Sequence, residues 1–189
     1  MAKEFTSIEA AHRAFILRQH IFFTASAAAS GHINLSPKGL DSLRLIGSNK
    51  VVYLDLTGSG NETAAHLLAD GRLTLMFCAF EGPPLILRLY GHGRCLRRGS
   101  AEYTEILTAE FAAIEPLAAR QMILLDVTRV QTSCGYGVPF LTFTGDRPGL
   151  NDWAEAKGES GLETYRRANN LVSFDGFPTG LLDETQTAE

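Results

Sequence analysis

Apolar residues at Ile8, Ala11, Phe15 and Ile16, with Glu9 and Arg13 between them, recur at the spacing of one helical face. Thr6 or Ser7 stands where an N-cap would, and this first helix is expected to end near Gln19. The period then changes from helical to two. "HIFFTASA" reads as a strand and "ASG" as a turn; "HINLSP" reads as a second strand in which Ile33 and Leu35 form a half-buried face alternating with His32, Asn34 and Ser36. "LDSLRLIG" and "KVVYLDL" form a second pair across "GSNK", and "RLTLMFCAF" with "LILRLYGHGRCL" a third across "EGPP". "QMILLDVTRVQTS" closes the series.

Two helices interrupt the strands. One runs from Asn61 to about Ala69, and the other is "SAEYTEILTAEF", capped by Ser100, with Tyr103, Ile106, Leu107 and Phe111 on one face. Short strands in hairpin order with helices inserted singly predict a mainly β fold, an antiparallel barrel closed or partly closed, rather than an alternating βαβ sheet. A length of 189 residues fits one domain, with about 145–189 as a C-terminal extension wrapping the barrel as loops and one helix around "GLETYRR". The end, "DETQTAE", is expected to fray.

Composition narrows the function. Apolar residues make up 45% of the chain and charged residues 20%, as in ordinary globular proteins. The net charge of -4, with no basic stripe, argues against a nucleic-acid partner. Cys78, Cys95 and Cys134 are odd in number and lack metal-ligand spacing, so neither a disulfide framework nor a zinc site is expected; a reducing cytoplasm suits them. Charges run through the N-terminus, and no stretch approaches the roughly 20 apolar residues of a membrane span. A soluble, cytoplasmic protein is the expectation.

Candidate chemistry centres on "TGSGNETAAHL", residues 57–67, between a strand and a helix. Thr57, Ser59, Asn61 and Thr63 offer hydroxyl and amide groups, while Gly58 and Gly60 permit close approach and positive φ, as an anion-binding turn requires. A purely structural alternative also fits: Asn61 caps the helix and Glu62 complements its dipole. The phosphate-binding "GK[ST]" and the dinucleotide fingerprint are both absent.

"FFTASAAASGHINLSPKG", "VVYLDLTGSGNETAAHLLADGRLTLMFCAF" and "LILRLYGHGRC", in this order, resemble the pyridoxamine 5'-phosphate oxidase-like family, whose fold is an FMN-binding antiparallel split β-barrel. The resemblance runs from the first helix to near Ser133. It implies FMN held between the subunits of a homodimer, and oxidoreductase chemistry on a small molecule. It implies further that Asn34, Ser36 and Lys38 on one strand, and Thr57, Ser59, Asn61 and Thr63 on the loop, contact the flavin. One departure stands out: where family members carry an Arg-Lys pair before Ala-His, this chain has Glu62-Thr63-Ala64 before Ala65-His66. Loss of two charge-assisted bonds motivates an alternative, a non-catalytic binding or sensing protein on the same barrel, unless Lys38, Arg88 or a partner subunit supplies the charge.

The remaining candidates carry less chemistry. Arg88 reads equally as an outward alternate of its strand or as an anion contact. Cys134 in "QTSCGYGVP" lacks an adjacent base, so a thiol enzyme is the weakest reading, with Tyr136 expected to close the groove. The five histidines share no metal-ligand spacing; His66 is expected to pack or cap, and Trp153 to pack against the barrel. No metal site and no catalytic triad is expected.

Overall fold

The structure, a computed structural model, describes residues 2–182. In chain order the elements are β1 (Lys3–Phe5), α1 (Ala10–Ile16), β2 (Phe22–Ser26), β3 (Asn34–Lys38), β4 (Leu43–Ile46), β5 (Lys50–Leu56), α2 (Glu62–Ala69), β6 (Arg72–Cys78), β7 (Ile86–Arg97), α3 (Ala101–Phe111), β8 (Ala119–Ser133) and α4 (Gly149–Asn169). The strands form one antiparallel sheet ordered β3-β2-β6-β7-β8-β5-β4, with β1 added along the second half of β8. The sheet curls into a half-barrel. Its split lies between β3 and β4, and the Lys38–Asp55 ion pair, at 3.0 Å, joins β3 to β5 across it.

Three predicted hairpins are present: β2–β3, β4–β5 and β6–β7. So are both inserted helices, and Ser100 caps α3 by accepting from the Tyr103 backbone N–H. β1 was not expected, because three residues are too few to show a period.

Two apolar layers explain why β5 is buried on both faces instead of alternating. Val51 and Tyr53 join Phe22, Leu75, Phe77, Leu89 and Ile123 inside the barrel. Val52 and Leu54 join Met122 and Leu124 beneath Tyr103 and Phe111 of α3. The helix α4 docks through Ala154 and Leu162 on Ala118, with Trp153 packed against the same cluster. Gly158, at φ 64° and ψ 174°, interrupts that helix.

β3 corrects an expectation. Ile33 and Leu35 are 77% and 64% exposed, while Asn34, Ser36 and Lys38 turn inward. Register is the reason: these three pair with Ser26, Thr24 and Phe22, whose side chains are buried. At the split the inner side of β3 looks onto polar groups, so the apolar alternates are left facing out.

Candidate functional site

The inward side chains of β3 meet the loop before α2 around a cavity of about 360 Å³. Asn34, Ser36 and Lys38 line one side, Gly58, Ser59, Gly60, Glu62 and Thr63 the other, and Asp55 and Arg120 also line it. Asn34 Nδ2 donates to Thr63 Oγ1 at 3.0 Å, and Ser36 Oγ donates to Asn34 Oδ1 at 3.1 Å, so β3 and α2 are cross-linked at the site. A Cβ built on Gly58 would meet nothing within 4 Å, so this backbone faces open space. Neither Gly58 nor Gly60 takes a positive φ, so the left-handed backbone expected of this loop is absent, and a Cβ on Gly60 would come within 3.3 Å of Glu62 Oε1.

Asp55 organises the buried end. Its Oδ1 accepts from Lys38 Nζ at 3.0 Å, and its Oδ2 accepts from Arg120 Nε and Gln121 Nε2, both at 2.8 Å. Burial alone would raise this carboxyl, but Arg120 and Lys38 beside it hold it well below the usual carboxylate range. One carboxylate thus faces two cations. The Tyr53 ring, fully buried, lies 5.8 Å from Lys38 Nζ; burial first, then Asp55, pushes its phenol well up. Its hydroxyl and His66 Nε2 are the two buried side-chain atoms without a hydrogen-bond partner among the described residues. His66 Nδ1 lies 3.0 Å from Ser26 Oγ, so this histidine packs and bonds within the barrel.

A β-bulge explains Arg120. Asp55 pairs with Gln121 and Leu56 with Ala119, so Arg120 is the extra residue on β8. Freed from the ladder, its side chain reaches Asp55 through Nε and Asn170 Oδ1 through Nη1, at 2.9 Å. Asn170 in turn donates to the Gly58 carbonyl at 3.0 Å, and its own carbonyl accepts from Asn61 Nδ2 and Thr179 Oγ1. The segment after α4 therefore holds both the loop and the cation.

Of the residues singled out from the sequence, Asn34, Ser36, Lys38, Ser59 and Thr63 line this cavity. Asn61 lies beneath it, 2% exposed. Its side chain does not cap α2: it accepts from Gln121 and donates to Asn170, because buried amides on both sides offer better-placed partners. Thr57 does not line the groove either. Its hydroxyl donates to the Ala118 carbonyl at 2.8 Å and accepts from Arg166 Nε at 2.9 Å, facing α4. Arg88 lies on β7 away from the cavity, with Nη1 donating to Ser133 Oγ. Tyr136 is 84% exposed and does not line the groove; its loop packs beside Leu85, where a Cβ on Gly135 would come within 2.7 Å of the backbone N. Glu62 turns its carboxylate to the Phe174 backbone N–H, which donates to both oxygens at 3.1 and 2.9 Å.

Beside the polar cavity lies a larger, mainly apolar cleft of about 870 Å³, lined by Phe15, Phe80, Pro83, Leu141, Phe143 and Leu150 among others. His20 stacks on Phe143 with centroids 3.7 Å apart. Pro37 and Lys38 line both spaces, so the cleft opens directly beside the cation.

The donor set fits a phosphorylated ligand. Two cations, three hydroxyls and an amide around one cavity suit a phosphate and a polyol chain, with the two lining carboxylates already bonded, Asp55 to both cations and Glu62 to the Phe174 N–H, and the adjoining apolar cleft suits a planar ring. Comparison with known proteins agrees with this architecture. The family model for pyridoxamine 5'-phosphate oxidase matches residues 8–134. The pyridoxamine 5'-phosphate oxidase family protein ustO of Aspergillus flavus is 40% identical over 182 residues, covering 88% of this chain and 73% of the relative. Among solved structures, a variant of HupZ from Group A Streptococcus aligns at TM-score 0.53 and 20% identity, covering 67% of this chain and 99% of that one. A pyridoxamine 5'-phosphate oxidase-related, FMN binding protein from Nostoc punctiforme aligns at TM-score 0.51 and 13% identity, covering 70% and 86%. These two structural likenesses carry the fold.

Proposed function

We propose that this chain, which belongs to the pyridoxamine 5'-phosphate oxidase family, is a flavoprotein that holds FMN at the polar cavity and performs two-electron redox chemistry on a small molecule. The observation that carries the reading is convergence: Asn34, Ser36 and Lys38 of β3, and Ser59 and Thr63 around the start of α2, line one cavity although they lie on separate segments. Bound FMN would supply the electron-transfer chemistry. The chain's part is positional. Lys38 and Arg120 would receive the phosphate, the hydroxyls of Ser36, Ser59 and Thr63 the polyol chain, and the apolar cleft would exclude water around the ring. Lys38 stands at the junction of the two spaces, between the groups that would hold the phosphate and the cleft that would take the ring.

A homodimer belongs to this reading. The outward Ile33 and Leu35, with Tyr136 and Phe140 at 84% and 82% exposure, give apolar surface that a second copy would cover. The three free thiols suit the cytoplasm. A second reading, the binding or sensing protein with weak flavin affinity, is favoured by one feature: Asp55 already engages both cations, so a phosphate must compete with it.

Titration of FMN against the purified protein, read by quenching of flavin fluorescence and by thermal shift, tests the proposal. The flavoprotein reading expects saturable micromolar or tighter binding; millimolar binding favours the second reading, and no saturable binding sinks the flavoprotein reading. Light scattering should give twice the chain mass of 20.6 kDa, and a monomer would contradict the homodimer.

A further inference from the structure

The loop at the start of α2 contributes no cation, and its one charged residue, Glu62, is committed to the Phe174 N–H. Positive charge reaches the cavity from β3 and β8 instead. Both Asp55 oxygens are occupied, one by Lys38 and the other by Arg120 and Gln121, and with Glu62 the cavity lining balances two cations against two carboxylates, so an anion's hold here depends on which donor edges face the cavity rather than on net charge. Arg120 is 6% exposed; Nε and Nη1 are bonded, while Nη2 has no partner among the described residues and the side chain borders the cavity. A buried guanidinium with one unbonded edge on a cavity lined by hydroxyls is poised for a charge-assisted bond to an anion.

What aims that edge lies far along the chain. Asn170, fully buried, accepts from Arg120 Nη1 through its side-chain oxygen, and through its other groups holds Gly58, Asn61 and Thr179. It lies beyond residues 8–134, the span matched by the family model. Neighbouring contacts anchor the same segment: Arg166 donates to Thr57 and Ala119, and Asp175 accepts from His32 at 2.6 Å.

We propose that Arg120, turned inward by the β8 bulge and aimed by Asn170 as a positioning residue, is the anion-recognition group of the cavity, with Lys38 as its second cation. The cavity accordingly selects the phosphate monoester form of its ligand over the dephosphorylated form. The proposal rests on the flavin reading only in using FMN and riboflavin as that matched pair.

The experiment measures dissociation constants of FMN and riboflavin for the natural protein, Arg120→Gln, Lys38→Met and Asn170→Asp, and separately their thermal stabilisation by inorganic phosphate. The quantity read is the ratio of FMN to riboflavin affinity, which general loosening of the fold does not move, because it weakens both ligands alike. The natural protein should prefer FMN at least tenfold. Arg120→Gln should reduce the preference about tenfold to a hundredfold, as loss of a charge-assisted bond implies. Asn170→Asp, which pairs Arg120 with a second carboxylate, should reduce it about tenfold; Lys38→Met keeps the test open should Arg120→Gln fail to fold. Equal affinity for the two flavins, or a preference untouched in variants that fold, overturns the proposal while leaving the flavin reading intact. Absence of binding by either flavin removes the flavin reading, and phosphate then decides: stabilisation of the natural protein that Arg120→Gln or Asn170→Asp abolishes supports Arg120 as an anion site, and no stabilisation overturns it.

Discussion

Asp55 sets how the cavity end responds to acid. Its folded-state pKa lies below the unfolded value, so the stabilisation it provides is complete above the unfolded carboxylate pKa of about 3.9 and is lost as pH falls toward the folded one. Urea midpoints measured from pH 7 downward should therefore decline below about pH 4 in the natural protein, and less steeply in Asp55→Asn. At neutral pH that substitution leaves Lys38 and Arg120 facing each other without a carboxylate, and removing one partner of such a buried set costs about 3–5 kcal/mol. An unchanged midpoint at pH 7 would contradict the network. Residues of this kind were only partly legible in the sequence. Lys38 and Ser59 stand in segments whose resemblance points to a flavin. Asp55, an acid inside the apolar run "VVYLDL", is a visible anomaly, because a charge on the inner side of a strand needs a partner. Arg120 and Asn170 carried no such signal: a bulge and a contact between distant segments leave no period in the chain.

At the level of elements, hydrophobic period and turn chemistry located the hairpins and both inserted helices, since each pattern is local. They failed at β3, where the inner face is polar because it borders a cavity, and alternation alone does not say which face is inside. They also missed the bulges. A second one sits where Tyr90 pairs with Arg129 and Gly91 with Val127, leaving Thr128 extra, and a Cβ on Gly91 would overlap the Asp126 carbonyl oxygen. Backbone cannot yield as a flexible side chain does. Gly91→Ala should cost at least about 3 kcal/mol, seen as a lowered urea midpoint, the upper end of what overpacking produces. A midpoint within error of the natural protein would show that β7 and β8 are not held together in this register.

Across the whole molecule, the barrel is open between β3 and β4, and the candidate site occupies that opening. Lys38 and Asp55 bridge it, α2 borders it, and residues 166–175 brace the loop from outside. An antiparallel barrel, closed or partly closed, was legible from the hairpins and its split form from the family resemblance, whereas the β2–β6 and β5–β8 pairings and the bracing depend on contacts between distant residues, such as Asn170 with Gly58. Site and fold are thus one arrangement: the gap that keeps the barrel from closing is where a phosphorylated flavin would enter. A crystal structure of the protein with FMN bound tests this most directly. The flavin phosphate should lie within hydrogen-bond distance of Lys38 and Arg120 beside Gly58 and Ser59, with its ring toward the Phe143 cleft. A phosphate bound away from both cations, or a flavin seated elsewhere on the barrel, would contradict it.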